Sequence, residues 1–530
     1  MSASFLDRCR PLAPVILALA VRLPFDRRPF YNVDEGVIAT LARIILSGGI
    51  VYRDGWCHRG PILDYIYAGI FAAFGQGNMA AVHYITTLAI AGQSFVLYRL
   101  VESLFGTKSA MPAAMFFAFF STFGYPPYDT LAANTEIWMN GFILLAMTLL
   151  LRGMKNNALS PLFLSGFLMG LAGLTKQVAY FLYPFMVLTL VLGHLWGLRH
   201  VEMRLAAIFR SGFLILLGML VPLGFVMYYY VLHGALTDFI SLFFHYNFFY
   251  LGSFYGGGGQ LFSVMSHFAG GVKETLCLLF SPCNTFIIYT LAAIAFFTSV
   301  LKRKNAGSNQ HQDHVERVFF LLFWFLFSLT PLILLGRAFG HYFLQLLPMI
   351  SAAAGLACVV IYRWCDVHRP LRGLFIGLII LFITVPCACF LSQFQTEEDK
   401  DILKVASYIR TNSLPQDSIF VWGWQTKLYI LAERPNASRF IFCSFLTGKT
   451  PKGSSHPENQ GVFGVNRMTS LWLADLKASR PKFIVDAHET YKFYQNYPLT
   501  SYPDIWGYIE KNYRMIEQIQ LYRIYQRIEP

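Results

Sequence analysis

Long apolar runs without charged residues recur along this chain and restrict its fold more than any other feature. A run of about 20 such residues is long enough to cross the hydrocarbon core of a bilayer as an α-helix. Hydrophobic residues make up 55% of the 530 residues and charged residues only 13%, against roughly 25% charged residues in soluble globular proteins. The pattern therefore predicts a polytopic α-helical membrane protein. Eleven runs are predicted to be membrane spans, at residues 11–25, 79–101, 109–124, 137–152, 160–175, 178–197, 211–232, 281–301, 317–335, 342–361 and 373–392.

The first run is short and contains Arg22, so a cleaved signal peptide is an alternative to a span. No cleavage site with small residues follows this run, which favours an uncleaved membrane anchor. With eleven spans, the two ends of the chain are expected on opposite sides of the membrane.

The basic residues indicate how the chain is oriented. Lys and Arg number 42 against 29 Asp and Glu, which gives a formal net charge of +13. They cluster in alternate loops, as the positive-inside rule expects of cytoplasmic loops, so the excess indicates topology rather than nucleic-acid binding. We therefore expect a cytoplasmic N-terminus and an extracytoplasmic, periplasmic tail. The clusters are Arg99/Lys108, Arg152/Lys155, Arg199/Arg204/Arg210, Lys302/Arg303/Lys304/Arg317 and Arg363/Arg369/Arg372.

The tail is expected to form a separate soluble domain. Residues 1–392 are predicted to be the membrane module, and residues 393–530 a small α/β domain with strand-like runs at 418–422 and 482–486. Asp399 and Asp401 spell a D-x-D sequence that could hold a metal ion, but acids in the first turn of a helix explain it better. The nine cysteines include no C-x-x-C pair, and neither a metal site nor a cofactor is predicted.

The outside loop at residues 26–78 contains two adjacent acids at the start of a predicted helix. Apolar residues recur at i, i+4, i+7 and i+8 from Val37, which predicts an amphipathic helix along the membrane surface. Asp34 and Glu35 stand in its first turn, where the helix N-terminus favours carboxylates. Capping is therefore the alternative to a catalytic role for these two acids.

The same loop continues with polar residues that suit substrate binding, namely Tyr52, Asp54, His58 and Arg59. Two carboxylates followed by a basic pair suit an enzyme that keeps a catalytic base apart from a phosphate-binding site. This loop is the densest group of chemically active side chains in the sequence.

Other outside loops supply further acids and cations. Asn134 and Glu136 stand at the mouth of the fourth span, where the alternative is an interfacial acid solvated by water. Lys176 and Arg337 interrupt apolar runs on the outside, against the positive-inside bias, and the alternative is that they extend to the membrane interface. Four more loop residues complete the predicted substrate-binding set: Tyr246, Asn247, His341 and Tyr342.

In chain order, these motifs resemble those of the GT-C membrane glycosyltransferases. The branch is that of the protein O-mannosyltransferases and the lipid A aminoarabinose and galacturonic acid transferases, and the resemblance covers residues 11–392. One departure is His58-Arg59, where relatives often have a lysine before the proline. The motifs are Asp34-Glu35-Gly36, Tyr52-Arg53-Asp54, His58-Arg59-Gly60-Pro61, Asn134-Thr135-Glu136, Thr175-Lys176-Gln177 and Gly336-Arg337 through His341-Tyr342 to Pro348.

The resemblance implies an inverting hexosyl- or pentosyltransferase that uses a polyprenyl-phosphate-linked sugar as donor. The acceptor would be a lipid, a polysaccharide or other glycan, or a protein, on the outer face of the membrane. Asp34 would be the base that deprotonates the acceptor, and Glu35 and Glu136 would orient the acceptor or share that role. The phosphate would be held by Lys176, Arg337 and Arg59, so that no metal is required.

A transporter or flippase of lipid-linked sugar is the alternative from another class of protein. Such a protein more often has repeated halves, broken spans and charges at mid-membrane, whereas the charges here stand at span ends on one side. An O-antigen-type polymerase or ligase would have its charged loops late in the chain. The family branch implies a bacterial inner (plasma) membrane protein that acts in cell-envelope glycosylation among membrane lipids.

Overall fold

The structure is a computed structural model, and it is mostly helical. It describes residues 9–124, 126–196, 198, 204–247, 269–277, 286–303, 309–335, 339–367, 371–394, 399–450, 454–455 and 465–528. These residues form two compact units. The first unit consists of Met1–Arg27, His83–Val226 and Ser266–Phe394, and the second consists of Arg28–Val82, Met227–Met265 and Gln395–Pro530.

Each run predicted as a span contains an α-helix in the structure. Among the described residues, six helices are long and apolar enough to cross a membrane, so the count of eleven spans stays a prediction. The six are Met79–Phe105, Thr135–Asn156, Leu205–Leu232, Glu316–Leu334, Gly340–Trp364 and Ile376–Gln393. The other runs contain Leu12–Arg22, Thr107–Phe123, Leu159–Thr175, Leu182–Leu192 and Phe286–Arg303. The prediction of a multi-pass helical membrane protein is confirmed.

The tail contains the sheet that the sequence predicted. Four strands lie in the spatial order Ile419–Trp422, Phe483–Asp486, Tyr522–Arg527, Tyr513–Ile519. The first two strands pair in parallel with Ile419 opposite Phe483, and the other pairs are antiparallel. Both members of the parallel pair are buried along their whole length, as strands covered on two faces require. Helices Lys400–Thr411, Val465–Ser479 and Pro503–Asn512 accompany the sheet.

The start of the first tail helix agrees with capping rather than a metal site. Asp399 is its N-cap, and the Asp399 carboxylate accepts a hydrogen bond from the backbone N–H of Asp401 at 3.0 Å. A carboxylate engaged in this way satisfies one of the free donors at a helix start. Residues 395–398, where the sequence predicted the beginning of this helix, lie outside the described residues.

The second unit combines the tail with two earlier parts of the chain. The sequence assigned residues 28–82 and 227–247 to the membrane module, and in the structure these described residues belong to the same compact unit as the tail. Residues 28–82 contain two helices, Val33–Leu46 and Ile62–Phe74, which pack against each other. The first is called the Asp34 helix below.

The Asp34 helix is buried on more than one face. Val37 and Leu41 belong to the predicted apolar face, but Ile38 and Ala42 on another face are equally inaccessible. Helix Ile62–Phe74 covers one side of it, and the tail helix Lys427–Leu431 covers another. An element from the distant tail therefore covers the side of this helix that the sequence pattern leaves polar.

Candidate active site

The start of the Asp34 helix distinguishes its two acids. Asn32 is the N-cap, and its side-chain oxygen accepts a hydrogen bond from the N–H of Glu35 at 3.1 Å. In return, the fully buried carboxylate of Glu35 accepts from the backbone N–H of Tyr31 at 2.7 Å. This reciprocal arrangement resembles a capping box. The contacts of Glu35 are thus those of the capping alternative that the sequence left open.

Asp34 keeps part of its carboxylate open to solvent. Its side chain is 28% exposed, and its Oδ1 lies 3.6 Å from Nη1 of Arg59. Burial alone would lower the pKa of Arg59, but the attraction of Asp34, together with smaller contributions from Cys57 and Asp64, raises it. Arg59 is therefore a permanent cation beside an accessible carboxylate, and an accessible carboxylate can act as a general base.

A tight turn precedes Arg59 and fixes its backbone. Tyr52 adopts φ of +74°, in the left-handed region that residues other than glycine rarely occupy, and its N–H donates to the carbonyl of Gly55 at 2.8 Å. Its hydroxyl donates to the carbonyl of Arg59 at 2.6 Å. Asp54 accepts the N–H of Ile50 at 2.7 Å. These contacts of Tyr52 and Asp54, both predicted to bind substrate, shape the loop that presents Arg59.

The structure brings together three predicted substrate-binding residues from two distant segments. The side-chain amide of Asn247 donates to the carbonyl of His58 at 2.8 Å. The ring centroids of His58 and Tyr246 are 5.4 Å apart. Tyr246 directly follows a π-helical turn, Ser241–His245, and such turns are frequent at functional sites.

The first unit contains a second group of charges, the Glu136 cluster, defined as Asp129, Glu136, Lys176, His341 and Tyr342. Glu136 stands in the first turn of helix Thr135–Asn156 with a side chain that is 0% exposed. Its Oε1 pairs with the ammonium group of Lys176, which is 13% exposed. The same ammonium lies 3.9 Å from the centroid of the Tyr342 ring, within cation–π range. Glu136, predicted to act on the acceptor, and Lys176, predicted to hold the phosphate, therefore form an ion pair.

His341 joins the cluster from a third segment. Its Nδ1 lies 3.3 Å from Oδ1 of Asp129, and its Nε2 lies 3.7 Å from Oε1 of Glu136. Asn134, a predicted substrate-binding residue, donates its side-chain amide to the carbonyl of Asp129 at 3.0 Å. The cluster thus gathers side chains from three parts of the chain at one end of the helix Thr135–Asn156.

Arg22 supports this cluster, although the sequence suggested only that it interrupts the first apolar run. Its guanidinium is fully buried and donates to the carbonyls of Thr130 at 2.7 Å and Leu131 at 2.6 Å. These carbonyls belong to the loop that contains Asp129 and Asn134. A buried guanidinium that binds backbone carbonyls fixes a loop firmly, because the loss of such hydrogen bonds in a buried place is costly.

Asp64 is a second residue that sequence reasoning did not select. It lies in the first turn of helix Ile62–Phe74, only 2% exposed, and its Oδ2 has no hydrogen-bond partner among the described residues. Burial raises the pKa of this carboxyl to about 8, although the charge of Arg59 opposes the shift. The signal in the sequence was an acid within an apolar run, five residues after Arg59.

Arg337, predicted to bind phosphate, lies outside the described residues. Within the part of the chain that the structure describes, no group of three or more His, Cys, Asp or Glu side chains could hold a metal ion. The absence of a metal site stays a prediction for the whole chain.

Comparison with known proteins identifies the fold. A family model described as dolichyl-phosphate-mannose-protein mannosyltransferase matches residues 58–225, which is less than half of the chain. No curated protein matches the sequence significantly.

Solved structures resemble the chain over most of its length. ArnT from Cupriavidus metallidurans, bound to undecaprenyl phosphate, superposes with a TM-score of 0.57 at 15% identity, covering 97% of this chain and 97% of that chain. The oligosaccharyltransferase AglB from Archaeoglobus fulgidus, in complex with an inhibitory peptide and a dolichol-phosphate, superposes with a TM-score of 0.53 at 13% identity. That match covers 92% of this chain and 70% of AglB. Both are GT-C glycosyltransferases, so the predicted GT-C fold is confirmed.

Proposed function

We propose that this protein is an inverting glycosyltransferase that moves a sugar from a polyprenyl-phosphate donor to an acceptor on the outer face of a bacterial inner membrane. The acceptor class stays open among lipids, glycans and proteins. The proposal is supported by the GT-C fold and by two solved structures with that fold that contain undecaprenyl phosphate or a dolichol-phosphate.

The pair formed by Asp34 and Arg59 is the observation on which the proposal rests. Asp34 stands at a capped helix start, is partly exposed, and has a permanent cation 3.6 Å away. Glu35 beside it is fully buried and caps the helix. Of the two acids, Asp34 is therefore the one whose carboxylate an incoming hydroxyl can reach.

In the proposed reaction, the Asp34 carboxylate accepts the proton of the acceptor hydroxyl or amide. The acceptor atom attacks the anomeric carbon from the face opposite the phosphate, and the bond from that carbon to the phosphate oxygen breaks with inversion. The polyprenyl phosphate leaves as an anion, and preorganised cations stabilise the charge that develops on it. The resemblance to the GT-C glycosyltransferases implies this role for Arg59, Lys176 and Arg337.

The Glu136 cluster holds the ammonium group of Lys176 in a fixed position. Because Lys176 is paired with Glu136 and lies over the Tyr342 ring, its ammonium is held in one place. A fixed ammonium loses little conformational entropy when it binds an anion. We propose that Glu136 positions Lys176, and that His341 can supply a further donor to the phosphate or to the acceptor.

The test is transfer by the purified protein. Full-length protein in detergent or nanodiscs is incubated with radiolabelled polyprenyl-phosphate sugars and membrane extracts, and labelled product is separated from donor. Asp34→Asn should reduce turnover by at least about 10³-fold, within the range seen when an essential catalytic group is removed, while the affinity for polyprenyl phosphate stays close to that of the original protein. Turnover near the original rate would exclude Asp34 as the base.

The same assay separates this proposal from a flippase. A flippase moves a fluorescent lipid-linked sugar across a vesicle membrane and leaves its glycosidic bond intact. Translocation in liposomes without any transferred sugar, in the presence of competent acceptor extracts, would contradict a transferase.

A further inference from the structure

The tail of this chain contacts the Asp34 helix directly. The hydroxyl of Thr426 donates a hydrogen bond to the carbonyl of Val33 at 2.8 Å. Val33 is the first residue of the helix and the immediate neighbour of Asp34. The two hydrogen-bonded residues are 393 positions apart in the sequence, so this contact exists only through the tertiary fold.

Two further contacts continue along the same helix. A Cβ atom on Gly36 would lie 2.6 Å from the backbone nitrogen of Lys427 and 2.6 Å from Oγ1 of Thr426, so only glycine permits this approach. In the last turn, Nη1 of Arg43 donates to the carbonyl of Tyr429 at 2.9 Å. The segment from Thr426 to Tyr429 therefore holds the helix in its first turn and in its last turn.

A neighbouring part of the tail contacts the loop that bears Arg59, the ion-pair partner of Asp34. The N–H of Trp56 donates to the carbonyl of Arg439 at 2.7 Å, and the Trp56 ring lies 5.0 Å from that of Phe440 and 5.4 Å from that of Phe445. Trp56 is three residues before Arg59. Residues 424–445, called the docking segment, therefore contact both the helix that bears Asp34 and the loop that bears Arg59.

A carboxylate that acts as a base must be held close to its productive geometry, and a displacement of about 1 Å can cost about 10²-fold in rate. We propose that the docking segment is a functional part of the active site and that Thr426 is a positioning residue for Asp34. This inference rests on the proposed function, because it concerns the geometry of the proposed base. Thr426 acts through the Val33 carbonyl and does not touch substrate.

The experiment compares two substitutions at Thr426 in the full-length protein. Thr426→Val keeps the side-chain shape but removes the hydroxyl, whereas Thr426→Ser keeps the hydroxyl. We expect Thr426→Val to lower kcat about tenfold or more without changing the affinity for undecaprenyl phosphate. Thr426→Ser should restore most of the lost rate. A purely structural role would instead lower the thermal stability and the donor affinity together with kcat.

A second readout does not depend on activity. Hydrogen exchange measured by mass spectrometry should show faster exchange in the first turn of Val33–Leu46 in Thr426→Val, and unchanged exchange in helix Ile62–Phe74. Thr411→Val, which removes an exposed hydroxyl that only bonds within its own helix, is the matched control and should change neither readout.

The outcomes separate the two proposals. If the original protein transfers sugar and Thr426→Val has the same kcat and the same exchange, the positioning role is refuted and the proposed function stands. A second outcome is that the original protein transfers no sugar, while hydrogen exchange in the Asp34 helix is faster in Thr426→Val and returns to the original rate in Thr426→Ser. The proposed function then fails, but the inference that Thr426 holds the Asp34 helix stands. Unchanged hydrogen exchange in Thr426→Val refutes the inference that Thr426 holds the Asp34 helix, whether or not the protein transfers sugar.

Discussion

Substitution of Gly36 by alanine tests how closely the Asp34 helix must approach the tail. In the structure, the added Cβ would meet the Lys427 nitrogen at 2.6 Å and the carbonyl carbon of Thr426 at 2.9 Å, against ordinary contacts of 3.4–4 Å. Helix and tail would therefore have to separate by about 1 Å, because these are backbone atoms that cannot rotate away. Overpacking of this kind costs about 1–3 kcal/mol.

Helix propensity opposes part of this cost. Alanine in place of glycine within a helix stabilises by about 1 kcal/mol, so the net destabilisation by Gly36→Ala should be about 0–2 kcal/mol. Gly69 provides a matched control, because it also lies in a helix of the second unit and a Cβ there has no neighbour within 4 Å. Gly69→Ala should therefore stabilise the protein by up to about 1 kcal/mol.

The assay is thermal unfolding in detergent together with sugar transfer. We expect Gly36→Ala to unfold at a lower temperature than Gly69→Ala and to lose about 10²-fold in kcat, since Asp34 is in the same helical turn and moves with it. Equal melting temperatures and equal kcat for the two variants would refute the close approach between helix and tail.

Three further predictions concern buried charges. Glu136→Gln or Lys176→Met alone should destabilise the first unit by about 3–5 kcal/mol, because each leaves a buried charge without its ion-pair partner, whereas the double variant should recover much of that loss in thermal unfolding. The raised pKa of Asp64, about 8, means that the folded chain binds more protons than the unfolded chain between about pH 4 and pH 8. Stability should therefore fall as pH rises through this window, by up to about 1.4 kcal/mol per pH unit, and Asp64→Asn should flatten the dependence of the melting temperature on pH. Arg22→Met removes the donors to the carbonyls of Thr130 and Leu131, and should speed proteolysis of that loop and lower kcat without changing the Asp34 helix in hydrogen exchange.

Contrary results would be equally informative. A double variant at Glu136 and Lys176 as unstable as the worse single variant would show that the two charges do not compensate each other. A pH dependence of stability that survives in Asp64→Asn would assign the proton uptake to another group.

The sequence predicted the elements whose causes are local. Apolar runs of span length have helices in the structure, since a backbone in lipid must satisfy its own hydrogen bonds. The runs at 418–422 and 482–486 contain strands, because β-branched and aromatic residues favour an extended backbone. Asp34 and Glu35 mark a helix start for a reason that also lies within one turn, because a helix N-terminus favours carboxylates.

The contacts within the candidate site could not be predicted in the same way. Glu136 and Lys176 are 40 residues apart and meet His341 from a third segment, and no periodicity or capping rule relates three separate helix ends. By sequence pattern, capping was an alternative for both Asp34 and Glu35, whereas burial and the hydrogen bond with Tyr31 assign Glu35 to the cap. In the sequence, Arg22 only interrupts the first apolar run. Its role could not be predicted because the carbonyls that it binds are about 100 residues away.

By itself, the sequence determined that the chain is a multi-pass helical membrane protein with a sheet-containing tail, because hydropathy and caps act over one helix length. The order of its motifs added the resemblance to the GT-C glycosyltransferases. Only the tertiary structure decided which acid is accessible, which cation each acid meets, and that the tail holds the Asp34 helix through Thr426 and Gly36. The physical reason is that charge pairing and close packing depend on distances between atoms in space. Those distances are set by how whole helices pack, and local sequence does not encode them.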